Sequence, residues 1–175
     1  SLQDIGFFAL ENHGVDAAVI EQAYGIAQKF FERSEKEKKK YEFSDLAGQR
    51  GFVSFGKESA KGYDAPDLKE FWHVGRETFL NPTNESMYPK NIWIDDLPEF
   101  KSVFLQMYSQ LESCAHHLLK ACSLYIGESE NLISDMAKDG DTLIRVIHYP
   151  PIEEDKHPNS IRAAAHEDIN LITLL

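Results

Sequence analysis

His166 and Asp168 stand two residues apart in the apolar run IRAAAHEDINLITLL, residues 161–175. In an extended strand the side chains at i and i+2 leave one face, so this imidazole and carboxylate would project together. That is two thirds of the facial set, two histidines and one carboxylate, that holds Fe(II) and leaves its opposite coordination positions open. A bare His-x-Asp equally suits a pair sharing a hydrogen bond on a sheet surface, and motifs this short recur by chance. The elements around the pair have to decide.

Residues 5–10 (IGFFAL) form a β-branched and aromatic run closed by Glu11, Asn12, His13 and Gly14, the pattern of a buried strand and turn. Asp16 caps a helix whose apolar positions Val19, Ile20, Ala23, Ala27, Phe30 and Phe31 recur at three and four. Ser34 and Glu37 make a capping box for a short helix to Lys40, and the charge run Glu32 to Lys40 reads as a solvated face without function. Residues 48–62 read as a Gly-rich loop or hairpin in which Phe52 and Phe55 either line a pocket or plug the core beneath. The alternation of Phe71 and His73 against Trp72 and Val74 predicts a strand within 67–77, with His73 a satisfied sheet histidine. Residues 81–96 are Pro- and Asn-rich and read as a connection. From Leu97 to Ile126 an apolar stripe through Phe100, Val103, Phe104, Met107, Leu111, Cys114, Ala115, Leu118, Leu119, Cys122 and Tyr125 predicts a long helix ended by Gly127. His116 and His117 are adjacent there, point about 100° apart and cannot grip one ion together. Ser129 caps a last short helix to about Lys138, and Thr142 to Tyr149 alternates as a strand stopped by Pro150 and Pro151.

Bulk properties narrow the class. With 175 residues, 42% hydrophobic and 27% charged, the chain has the composition of one ordinary globular domain. Its net charge of -11 opposes nucleic acid and anionic membrane surfaces, which reward basic patches, and leaves small molecules or proteins as partners. Cys114 and Cys122 lie eight residues apart on one predicted helix, a rise of about 12 Å that no disulfide closes, which fits a reducing compartment. No signal-peptide pattern occurs and no apolar run approaches the ~18 residues of a membrane span, so the cytoplasm is the expected location.

Four stretches then match one family in order. GFFALENHGV (6–15), DLKEFWHVG (67–75), IRVIHYPP (144–151) and AAHEDINLITLL (164–175) together resemble the isopenicillin N synthase-like branch of the Fe(II)- and 2-oxoglutarate-dependent dioxygenases, over nearly the whole chain. The resemblance implies an α+β fold in which N-terminal helices pack on a double-stranded β-helix, or jelly-roll, core. Residues 1–140 would be the mostly helical region and 141–175 the first core strands of a single domain. It further implies Fe(II), with 2-oxoglutarate and dioxygen as co-substrates, and a small organic molecule hydroxylated or otherwise oxidised at C–H. His166 and Asp168 would be the first two iron ligands, and Tyr149 would help hold the distal carboxylate of 2-oxoglutarate. Arg145, on the same predicted face as Tyr149, would add positive charge there.

The chain also departs from the family pattern. Ile147 and His148 stand where many members have Asn and Tyr before the final tyrosine, Glu167 where Thr is common, and Asn170 where Gly is common. The family's second histidine ligand and the Arg and Ser that anchor 2-oxoglutarate come from later strands, which leads us to expect a longer working enzyme and little turnover from these residues alone. Three alternatives stay open on the residues: an oxidase of the same family that uses no 2-oxoglutarate, another divalent-metal enzyme such as a hydrolase, and a non-catalytic binding relative. Oligomeric state is not legible.

Overall fold

Asp16 sets the start of the first helix: its carboxylate accepts the Ala18 N–H at 2.9 Å, and α1 runs over Ala17–Phe31 with Val19, Ala23, Ile26, Ala27, Phe30 and Phe31 buried in one stripe. The computed structural model describes residues 6–59, 65–152, 159–168 and 170–175. Ser34 and Glu37 form the expected capping box over α2 (Glu35–Lys38), which passes into a 3-10 turn at Lys39–Tyr41.

Three strands, β1 (Gly51–Val53), β2 (Glu70–Gly75) and β3 (Leu143–His148), form an antiparallel sheet in that order among the described residues. Phe52 stands opposite Trp72, and Trp72 opposite Val146. Strand alternation therefore sends Phe52, Trp72, Val74, Ile144 and Val146 to one face, where they meet Phe30 of α1 and Phe100 and Phe104 of α4 (Glu99–Tyr125). Phe30 lies edge-on to Trp72 at 4.8 Å and to Phe52 at 5.5 Å, and Trp72 meets Phe100 at 5.0 Å, the T-shaped geometry that the ring quadrupole favours. Phe71, His73, Arg145 and Ile147 occupy the opposite face, which carries the polar machinery described below.

Several expectations need correction. Ile5 lies outside the described residues; residues 6–10 are not a strand, and Phe7, Phe8 and Leu10 are exposed, because no neighbouring strand among the described residues offers them a ladder. The connection at 81–96 contains α3 (Pro82–Met87), started by Asn81, whose side chain accepts the Thr83 N–H, with proline in the first helical turn. The last short helix, α5 (Leu132–Ala137), begins after Asn131 rather than at Ser129. Tyr125, at the end of the α4 stripe, is 75% exposed, while Ser123 is buried there, donating to the Leu119 carbonyl and accepting the Ile133 N–H. Lys38 is not on a solvated face: it is buried, with Nζ 2.6 and 2.7 Å from the two oxygens of Glu70 and 3.3 Å from the Phe31 carbonyl. Glu70 also bonds His148 Nδ1 at 2.8 Å, which turns His148 toward α1, where it stacks on Phe31.

Residues 161–175 carry no strand among those described. Two bonds fix the entry to this segment instead: Leu68 N–H donates to the Ile161 carbonyl at 2.8 Å, and Ala164 N–H donates to the Asp67 carboxylate at 3.0 Å. A strand exists only through its partner, and here the backbone's partner is the irregular turn leading into β2.

Candidate metal centre

Alternation in β2 and β3 places His73 directly opposite Arg145 on the face away from the helices. His73 Nδ1 lies 2.7 Å from the Gly48 carbonyl, which only accepts, so Nδ1 carries the proton; Nε2 accepts from Arg145 Nε at 2.7 Å. Both ring nitrogens are used, as expected of a satisfied sheet histidine. Burial is the largest influence on this ring and the Arg145 charge adds to it, pushing the imidazole down to about 4. The Arg145 guanidinium forms a two-pronged pair with Glu58, 3.0 Å at each prong, and lies over Phe71. Glu58 is shared with Lys69, whose Nζ sits 2.7 Å from Glu58 and 2.8 Å from Asp67. This chain of charges ends on Asp67, which holds Ala164.

From Ala164 the backbone turns into the pair. His166 Nε2 and Asp168 Oδ1 face each other at 3.7 Å, with about half of each side chain exposed. His166 Nδ1 lies 2.9 Å from the Ala164 carbonyl, so this nitrogen donates, and in the neutral ring the lone pair is on Nε2, the nitrogen that faces Asp168. Asp168 Oδ2 accepts from the Thr173 hydroxyl at 2.6 Å, leaving Oδ1 toward His166. Two ligand atoms about 2.1 Å from one ion and at right angles stand roughly 3 Å apart, so the pair reaches chelating geometry by a movement under about 1 Å. A metal-binding imidazole whose other nitrogen is bonded to a carbonyl, beside a carboxylate that is itself hydrogen-bonded, is the outer support that such ligands use. The donor set fits a divalent transition metal.

No group of three or more His, Cys, Asp or Glu among the described residues is placed to hold a metal. His73 and His148 are committed elsewhere, and His13 Nδ1 accepts the Val15 N–H. His157 lies outside the described residues. Tyr149, just past β3, is partly exposed, and its hydroxyl takes no hydrogen bond from the described residues. Arg162 donates to the Tyr149 carbonyl at 3.1 Å and lies 5.8 Å from the ring centre, tying the tyrosine to the His166 segment. The sequence reading passed over Arg162, Thr173 and Asp67. Arg162, four residues before His166, and Thr173, five after Asp168, are close enough in the chain to have been found; Asp67, 97 positions from Ala164, is not.

Residues 1–96 match the family model described as "non-haem dioxygenase in morphine synthesis N-terminal". The chain belongs to the non-haem Fe(II)- and 2-oxoglutarate-dependent dioxygenases. It is 29% identical to the soybean (Glycine max) homoarginine-6-hydroxylase over 98% of this chain and 54% of that protein, and 29% identical to an Aspergillus fumigatus 2-oxoglutarate-Fe(II) type oxidoreductase over 97% and 52%. The fold matches a Caulobacter crescentus protein described as a 2OG-Fe(II) oxygenase family member at a TM-score of 0.70 and 34% identity, covering 81% of this chain and 46% of the other. The helices and three-stranded sheet are thus part of a jelly-roll oxygenase fold. The chain spans about half the length of the curated relatives it matches. His166 and Asp168 lie beyond residue 96, outside the span that the family model matches.

Proposed function

We propose that this chain contributes two ligands, His166 and Asp168, to the iron of a 2-oxoglutarate-dependent dioxygenase that hydroxylates, or otherwise oxidises at C–H, a small organic molecule. The observation that carries the reading is the free His166 Nε2 set against Asp168 Oδ1 at 3.7 Å, each held from behind by a hydrogen bond of its own. Bound Fe(II), with 2-oxoglutarate as co-substrate, supplies the activation of dioxygen. The protein's part is to hold the ligands, orient the co-substrate and keep the reacting C–H near the metal. Tyr149 offers its hydroxyl to the distal carboxylate of 2-oxoglutarate, and Arg162 places a cation against that tyrosine. Arg145 contributes there only the charge that its pairing with Glu58 leaves unmatched. A cytoplasmic location fits two free cysteines and the lack, among the described residues, of a helix long and apolar enough to cross a membrane.

Anaerobic titration of the full-length protein with Fe(II) and then 2-oxoglutarate tests the reading. A metal-to-ligand charge-transfer band that needs both additions, and that His166→Ala and Asp168→Ala abolish, is the expected result. Iron binding with no response to 2-oxoglutarate would identify the family's oxidase variant instead, and a protein that takes up no iron would leave the binding-only relative.

A further inference from the structure

The candidate ligand His166 sits on a segment without regular secondary structure, so something other than a strand ladder must fix its ring. Asp67 is the residue placed to do so. Its side chain is 3% exposed and that of its partner Lys69 6%. One carboxylate oxygen accepts the Ala164 N–H at 3.0 Å while the other accepts Lys69 Nζ at 2.8 Å. The backbone of the same turn is anchored on both sides: Asp67 N–H donates to the Glu58 carbonyl and Leu68 N–H to the Ile161 carbonyl, each at 2.8 Å. Ala164, itself 4% exposed, then uses its carbonyl to accept His166 Nδ1–H at 2.9 Å. The two peptide groups that flank one buried Cα thus join a buried carboxylate to the imidazole.

Burial works to raise the Asp67 carboxyl, but the bonds from Lys69 and from the Ala164 N–H outweigh it and hold the group below its ordinary range. We infer that Asp67 is a positioning residue for His166: by holding the Ala164 backbone it fixes the carbonyl that sets the tautomer and orientation leaving Nε2 free for metal. The inference rests on reading His166 and Asp168 as ligands, and it adds a residue from the turn before β2 to the machinery of that site.

The test measures Mn(II) affinity by electron paramagnetic resonance and the His166 tautomer by nitrogen-15 NMR of the metal-free protein. Asp67→Ala is expected to weaken Mn(II) binding by about tenfold or more, the usual loss for an outer-shell partner. It should also shift His166 from the Nδ1–H form toward the Nε2–H form. Asp67→Asn keeps an oxygen for the Ala164 N–H and should recover most of both properties. Val103→Ala, in the core between α1 and α4, should lower the melting temperature and move neither. If Asp67→Ala binds Mn(II) like the parent, or leaves the tautomer unchanged, the positioning role is overturned. Should the parent itself bind no Mn(II), the metal reading fails, while the tautomer still decides whether Asp67 sets the ring.

Discussion

Tyr149 carries the most direct consequence at the scale of single residues. Its hydroxyl has no hydrogen bond from the described residues, so removing it costs little in the resting protein, whereas a co-substrate carboxylate would lose a donor. Tyr149→Phe should raise the 2-oxoglutarate concentration needed for the charge-transfer band by roughly tenfold, about one charged hydrogen bond, with Fe(II) affinity unchanged; an unmoved requirement would remove Tyr149 from the site. His73 yields a pH prediction. Its ring titrates at about 4 in the fold against 6.5 for the ordinary group, so between these values the unfolded chain binds the extra proton and stability falls as pH falls. The full loss is about 3 kcal/mol, complete below pH ~4 and absent above pH ~6.5. Denaturant midpoints measured across this window should drop steeply for the parent and much less for His73→Gln. The His-x-Asp pair was legible because both residues lie within three positions of one another. Lys38 was not, since the carboxylate that buries it is 32 residues away and a run of charges looks the same with or without such a partner.

Among the elements, α1, α4, β2 and β3 follow from periodicity, because each has one face committed to the same aromatic core. Misreadings fall where local pattern and tertiary pairing part company. Asn81-Pro82 signals a turn and a helix start equally well, and the structure uses it as a start. Residues 161–175 have the apolar content of a strand, yet the backbone bonds that decide the matter go to Asp67 and Leu68. β1 is short for a strand and depends on one glycine. Gly51 has φ +75, and a Cβ there would come within 2.6 Å of the Tyr41 carbonyl oxygen, a backbone atom unable to swing aside. Gly51→Ala therefore meets both a left-handed backbone cost of about 1–2 kcal/mol and a clash, and should lower stability by at least about 2 kcal/mol in chemical denaturation. An alanine that costs less than 0.5 kcal/mol would show that β1 can shift away from Tyr41 freely.

The whole molecule carries a net charge of -11, a surface that attracts any divalent cation through its long-range field. Metal uptake alone is therefore weak proof of a site, and the specific part has to be separated from the diffuse one. Salt at 0.15 M shortens the reach of the surface field to about 8 Å, while ligation by an imidazole and a carboxylate is little affected. Metal identity gives a second handle: Mg(II) prefers oxygen ligands and keeps its waters, whereas Mn(II) and Fe(II) accept imidazole more readily. A ligand that binds only the folded state at 100 times its dissociation constant adds about 2.7 kcal/mol. For a protein of this size that corresponds to a rise of about 5–10 °C in melting temperature. Thermal melts in 0.15 M salt should show this rise with Mn(II), a much smaller one with Mg(II), and none with Mn(II) once His166 is replaced by alanine. Equal shifts for the two metals, or a Mn(II) shift that survives His166→Ala, would assign the binding to the acidic surface and take His166 out of the site.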